Sequence, residues 1–205
     1  MNDTATIPRE PGPGSPPTTR AAEGLARRAW TLDDVHRMLA AGILGERERF
    51  ELIGGEIVPM SPKGIRHEVL KAELQQFWIP RVVGSSTNLI TETTLYISDT
   101  QHLEPDFIFW PRAIPLAEVK PGVLSLLVEV ADSSLLYDTG RKATIYAGLG
   151  VAEYWVVNAV SLATVIHREP GPEGYADVAE HLATARLVPQ RLPELAVTLA
   201  DLGDR

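Results

Sequence analysis

Cysteine is absent from the 205 residues of the chain. Disulfides, thiolate zinc sites and a cysteine nucleophile are thereby excluded, and a reducing cytoplasm is the expected compartment. No run of 18 apolar residues occurs, so no spanning helix is expected. The first residues also lack the apolar core of a signal peptide. Cations are outnumbered, with 19 Lys and Arg against 27 Asp and Glu, for a formal net charge of −8. Such a chain does not adhere to nucleic acid or to an anionic membrane through bulk charge. A local basic patch or metal ions would be needed to bring a polyanion to it. What the chain does have is apolar residues, 44% of the total, enough for one soluble domain with a substantial core.

Residues 1–29 read as a disordered Pro/Gly-rich tail, with Pro8, Pro11, Pro13, Pro16 and Pro17 spaced among Gly, Ser and Thr. A single domain is expected over 30–205. Thr31 is the predicted cap of a first helix carrying Val35, Met38 and Leu39 on one stripe. Phe50–Ile53 and Glu56–Met60 flank Gly54-Gly55 as a hairpin. Residues 65–79 have helical spacing, with Pro80 marking the expected end. Strands are expected over 88–97, 105–110, 123–131, 153–158 and 163–167, a short helix over 138–148, a turn at 171–174 and a last strand or docking segment over 195–202. The runs over 105–110 and 123–131 are apolar throughout, as in strands covered on both faces. The order implies an α/β fold, a mixed central sheet flanked by helices.

Two acids interrupt those apolar runs. Asp106 lies in Glu-Pro-Asp-Phe-Ile-Phe-Trp (104–110), and Glu129 in Leu-Leu-Val-Glu-Val-Ala-Asp (126–132). An ionised carboxylate inside an apolar strand needs a partner. A shared divalent cation and a pair of structural salt bridges both provide one. If the two strands pair, the acids converge at one edge of the sheet, where the carbonyl of Val130 would be a further hard oxygen ligand. Lys142, on the helix that follows, could fold back to orient or deprotonate a water there. Its other reading is a helix-surface residue paired with Asp138. Asp132 and Asp138 are candidates for helix caps or for supporting groups around the site.

These segments resemble a known family. Pro105-Asp106 followed by Glu129 in an apolar strand is similar to the motif of the restriction-endonuclease-like PD-(D/E)xK nucleases, and in particular to their Uma-two-type branch. The resemblance is carried by residues 50–62, His67, 104–107, 128–135, Tyr137-Asp138 with Lys142 and Tyr146, and 151–158, and extends over about 30–202. It implies a restriction-endonuclease-like fold, Mg²⁺ or Mn²⁺ dependence and hydrolysis of DNA phosphodiester bonds. It also implies metal binding by Asp106 and Glu129, a catalytic role for Lys142, and a further site acid in Glu51. Ala131 stands where the superfamily motif has its lysine, and Lys142 of the following helix is the counterpart in this branch.

Glu51 otherwise reads as a surface acid of an edge strand. His67 could bond Glu51 or a phosphate, or lie partly exposed on its helix. Lys63, Arg66 and Lys71 are candidate phosphate contacts or a solvated cationic face. Tyr146 is expected against the stem of Lys142. Tyr154 and Trp155 read as core or dimer-face residues. Trp155 and Trp110, in apolar strands, fit a homodimer, the symmetry with which enzymes often cut both strands of a duplex. Three activities are therefore in contention: a metal-dependent endonuclease acting on DNA, a nuclease-fold module that binds or regulates without catalysis, and a hydrolase of small phosphate esters.

Overall fold

The computed structural model describes residues 18–20, 26–45, 48–60 and 62–203. Most of the expected N-terminal tail lies outside these residues. The described part of it forms two short antiparallel strands, β1 (Thr18–Arg20) and β2 (Ala26–Arg28). The chain divides into two compact units, residues 1–60 with 96–103, and residues 61–95 with 104–205.

In the first unit, helix α1 (Leu32–Ala40) opens with a reciprocal cap. The Thr31 hydroxyl accepts from the Asp34 N–H, and the Asp34 carboxylate accepts from the Thr31 N–H. Strands β3 (Phe50–Ile53) and β4 (Glu56–Pro59) form the expected hairpin. Gly54 and Gly55 turn it with φ of 57° and 82°, the left-handed pair that a tight two-residue turn requires. A side chain on Gly55 would also run into Ala29, with Cβ only 2.4 Å from the Ala29 Cβ. Strands β6 (Leu95–Ser98) and β7 (Gln101–Leu103) complete a sheet in the order β4-β3-β7-β6. Val35, Phe50 and Leu52 form its small core with Trp30, Leu32, Leu39 and Ile57.

The second unit contains a six-stranded mixed sheet in the order β12-β11-β10-β9-β8-β5. Its strands are β5 (Thr87–Thr91), β8 (Phe107–Pro111), β9 (Leu126–Ala131), β10 (Glu153–Asn158), β11 (Thr164–Gly171) and β12 (Gly174–His181). β9 and β10 are parallel and every other pairing is antiparallel. Helix α2 (Ile65–Val82) packs Leu70, Leu74, Trp78 and Val82 against Phe107, Phe109, Val128, Val130, Trp155 and Val157. The Trp78 ring meets Phe107 and Phe109 edge-on at 5.3 and 5.2 Å, and its indole N–H donates to the Leu195 carbonyl. A second helical segment follows β9. It consists of α3 (Leu135–Tyr137), a π-turn over Asp138–Lys142, and α4 (Ala143–Gly148). It brings Tyr146 against Tyr154 at 4.9 Å. Strands β13 (Arg186–Leu187) and β14 (Val197–Thr198) pair near the C-terminus.

Two expectations fail locally. The run over 88–97 is two strands in different sheets, because the chain turns at Glu92, which has a φ of 52°. Helix α2 does not stop at Pro80 but continues to Val82. Proline costs the helix one backbone bond, yet the buried Val82 side chain holds the last turn in the core. Trp155, Tyr154 and Trp110 are buried inside the second unit, so they are core residues and offer no outer face. Among the described residues, no helix is long and apolar enough to cross a membrane.

Candidate active site

The site forms where β8 begins and β9 ends. Register pairs Phe107 with Val128, so β8 stops short of the Val130 N–H. The side chain of Asp106 takes over that position, its Oδ2 accepting from the Val130 N–H at 2.9 Å. The Asp106 N–H in turn points at Glu129 Oε2, 3.4 Å away. The two acids expected from the sequence are thus neighbours, each reached by backbone at or next to the other.

Glu129 is 4% exposed. Its Oε1 accepts from Lys142 Nζ at 2.9 Å and from the Tyr146 hydroxyl at 3.1 Å. Lys142 is buried rather than spread on the helix surface, and also lies 3.7 Å from Asp138 Oδ1. Lys142 and Tyr146 are four residues apart at the start of α4, so they share one helix face and both reach the same carboxylate. Asp138 is held by the Ser134 hydroxyl at 2.5 Å, and its carbonyl accepts from the Tyr154 hydroxyl. It therefore supports Lys142 from within the helix.

Asp106 is held on its other side by α2 and the loop before it. His67 Nε2 lies 3.1 Å from Oδ2, and Lys63 Nζ donates to Oδ1 at 2.9 Å. Burial raises the pKa of Asp106, but His67, Lys63 and the Val130 N–H outweigh it and hold the carboxyl well below the usual carboxylate range. His67 is buried against Asp106 and Glu68. Lys63 and Lys71 are not a solvated face. Lys71 is buried between Glu68 and Glu92, and Lys63 bridges Asp106 and Glu92. Arg66 is the exposed member of the three, at 62%, and pairs with Asp132 at 3.1 Å. Asp132 sits so close to the start of α2 that a Cβ on Gly64 would meet its Oδ2 at 2.5 Å.

Glu92 was not among the candidates read from the sequence. Its N–H donates to the Asp106 carbonyl at 3.1 Å, and Lys63 and Lys71 both donate to its Oε1. The Lys63 bond, offset in part by burial and aided by Lys71, pulls its pKa down to about 2. A non-glycine residue at its positive φ costs on the order of 1 kcal/mol, which these contacts offset. Glu51 is buried on β3 of the first unit, opposite Val58 and between two neighbouring strands. It is neither exposed nor on an edge.

Among the described residues, no three His, Asp or Glu side chains converge as a ready-made metal cage. Mg²⁺ asks for less, since one or two carboxylates with waters suffice. The hard oxygens of Asp106 and Glu129 fit that demand, and the Lys63 ammonium against Asp106 is a cation standing in such a position.

The family model described as "Putative restriction endonuclease", Uma2, matches residues 32–200. The chain belongs to the Uma2 family. Among solved structures it is similar to a protein of Anabaena variabilis described as a "putative nuclease belonging to DUF820". The two share 14% identity over 85% of this chain and 97% of that one, with a TM-score of 0.63. At that identity the likeness shows the fold, which is the nuclease-like α/β fold with a mixed sheet. A weaker likeness, to a chain of the DrdV–DNA complex, has 12% identity, a TM-score of 0.32, and covers 56% of this chain and 12% of that one. It is too slight to carry an argument. No match was found among curated proteins.

Proposed function

We propose that this Uma2-family chain is a divalent-cation-dependent endonuclease that hydrolyses phosphodiester bonds in DNA. The observation that carries the reading is the continuous bonded path from Asp106 through Glu129 to Lys142 in one buried place at the rim of the sheet. Asp106, Glu129 and the Val130 carbonyl are the groups that would hold Mg²⁺ or Mn²⁺. The cation would supply Lewis acidity to the phosphoryl oxygens and a lowered pKa to water.

The chain's own residues do the rest. Lys142 Nζ, an ammonium fixed by Glu129 and Asp138, orients the attacking water, whose proton passes to solvent. Tyr146 keeps Glu129 Oε1 turned towards that lysine. A P–O bond forms to the water oxygen, the bond to the leaving oxygen breaks, and that oxygen takes a proton from solvent. Lys63 and Arg66, at the start of α2, are the cations available to a phosphate backbone.

The test is nicking of supercoiled plasmid with Mg²⁺ or Mn²⁺. Asp106→Ala and Glu129→Ala should each abolish cleavage, and unchanged nicking by both would remove the assignment. One observation favours a second reading, a non-catalytic module: Asp106 is already met by Lys63 and His67, and Glu129 by Lys142. Calorimetric titration with Mn²⁺ separates the two, because a pseudo-site shows no uptake dependent on Asp106 and Glu129.

A further inference from the structure

A contact to phosphate does not account for where Lys63 is bonded. Its ammonium lies between two carboxylates, 2.9 Å from Asp106 Oδ1 and 2.5 Å from Glu92 Oε1. Asp106 is buried, whereas the Glu92 side chain is 40% exposed and Lys63 itself is 14% exposed. Lys63 thus stands at the mouth of the site, bonded inward to a candidate ligand and outward to an acid that is not one.

The surroundings are built to hold both ends of this arrangement. Glu92 is anchored from behind by Lys71, whose ammonium donates to the same Oε1 at 2.9 Å, and its backbone is tied to the Asp106 carbonyl. The left-handed φ of 52° at Glu92 is the local distortion that places its carboxylate there. Pro62 and Gly64 flank Lys63, so its backbone lies in a short connection before α2 and not in a ladder. The side chain can leave Asp106 without breaking an element.

We propose that Lys63 is an internal counter-ion that fills the cation position at Asp106 in the metal-free protein. It must withdraw onto Glu92 before a divalent cation binds, and so it sets the metal affinity of the site. The proposal rests on Asp106 being a metal ligand. One positive charge competes with another for the same oxygen, and the competitor is tethered, so its effective concentration is high. Glu92 gives the displaced ammonium a second carboxylate, which keeps the exchange from stranding a charge.

The experiment is calorimetric titration of the EDTA-stripped full chain with Mn²⁺, alongside melting in EDTA and in Mn²⁺. Lys63→Met removes the competitor, while Asp106 keeps His67 and the Val130 N–H, and Glu92 keeps Lys71. The variant is expected to fold, to bind Mn²⁺ at least tenfold more tightly than the parent, and to gain more melting temperature from Mn²⁺ than the parent does. Lys63→Gln, which keeps a polar head, should behave likewise. A merely structural lysine predicts the opposite, weaker binding and a lower melt in both conditions. Unchanged or weaker Mn²⁺ binding in both folded variants, with a parent that binds in an Asp106-dependent manner, overturns the counter-ion role. No Asp106-dependent binding in the parent or in either variant overturns the metal-ligand reading itself, and the counter-ion role with it.

Discussion

Two glutamates lie on the parallel strands β9 and β10, both at positions with almost no exposure: Glu129 at 4% and Glu153 at 1%. By burial alone they are equivalent. Their partners differ. Glu153 Oε1 accepts from the Trp155 indole and twice from the Arg168 guanidinium, and its Oε2 accepts from the Gln190 N–H at 2.7 Å. Those donors are planar or backbone groups, and a guanidinium does not give up its proton. Glu129 faces an ammonium and a phenol, whose protons can move, and the backbone of a second buried acid. One carboxylate closes a structure and the other sits in a chain of groups that could do chemistry. Burial identifies both, and only the kind of partner tells them apart.

The contrast should break most sharply under charge removal. Glu129→Gln is expected to cut Mg²⁺-dependent cleavage by roughly 1,000-fold or more, the scale of losing an electrostatic group of the transition state. It should melt near the parent, since Lys142 keeps Asp138 nearby. Glu153→Ala should do the reverse. It strands the Arg168 guanidinium, and loss of one partner of a buried pair costs about 3–5 kcal/mol. Urea denaturation should register that loss, while any residual folded protein cleaves at the parental rate. If Glu153→Ala kills activity without unfolding the chain, the division between the two glutamates is wrong.

Lys142 sharpens the comparison from the cation's side. Lys142→Met should lower cleavage by about 100-fold or more, and Lys142→Arg should not restore it, because a guanidinium neither fits the slot between Glu129 and Asp138 nor exchanges a proton. At the Glu153 position the preference is the other way. Arg168→Lys loses the fork and is expected to destabilise by about 1–2 kcal/mol with little effect on cleavage. Single-turnover cleavage rates and melts on the four proteins decide it.

The sequence brought Asp106, Glu129 and Lys142 forward as a set, because an acid before Phe-Ile-Phe-Trp and one within Leu-Leu-Val-Glu-Val each need a partner, a cation or a salt bridge, and their order with the lysine resembles the family motif. The same logic would also have flagged Glu153, which opens a run of the same character over 153–157; what dismisses it, Arg168 and Gln190, is distant in the chain. The α/β class and the hairpin at Gly54-Gly55 were legible from local chemistry. Glu92 was hidden because Thr91 and Leu95 read as one continuous strand, whereas the backbone reverses at Glu92 and sends the two halves into different sheets. Lys63 was visible as a candidate phosphate contact or solvated cation, and His67 as part of the family resemblance and a possible partner of Glu51 or a phosphate. Their engagement with Asp106 depends on the long-range docking of α2 on β8 and β9, which no local pattern encodes. Tyr146 was expected only to pack under Lys142, and its bond to Glu129 depends on how the helix after β9 docks beside that strand.

A smaller effect separates the two regions by pH. His167, on β11 beside Arg168, lies against Tyr154 and Tyr175 at 5.2 and 5.5 Å. Burial depresses its pKa below the ordinary imidazole value, although bonds to backbone carbonyls, Tyr154 among them, work the other way. A histidine with a depressed folded pKa takes up its proton more readily when unfolded. Its contribution to stability is therefore complete above the unfolded pKa, about 6.5, and is lost as pH falls from there towards the folded value. Asp106, also depressed, follows the carboxylate version of the same rule: its contribution is complete above about 4 and is lost only in stronger acid. Denaturation free energies between pH 7.5 and 4.5 should thus show a shallow decline that belongs to the Glu153 side of the sheet. His167→Phe should flatten that decline, while Asp106→Asn should leave it in place and change only the steeper loss below pH 4. A decline that persists in His167→Phe and vanishes in Asp106→Asn would place the acid-sensitive group at the candidate site, and the two glutamates would then differ less than their partners suggest.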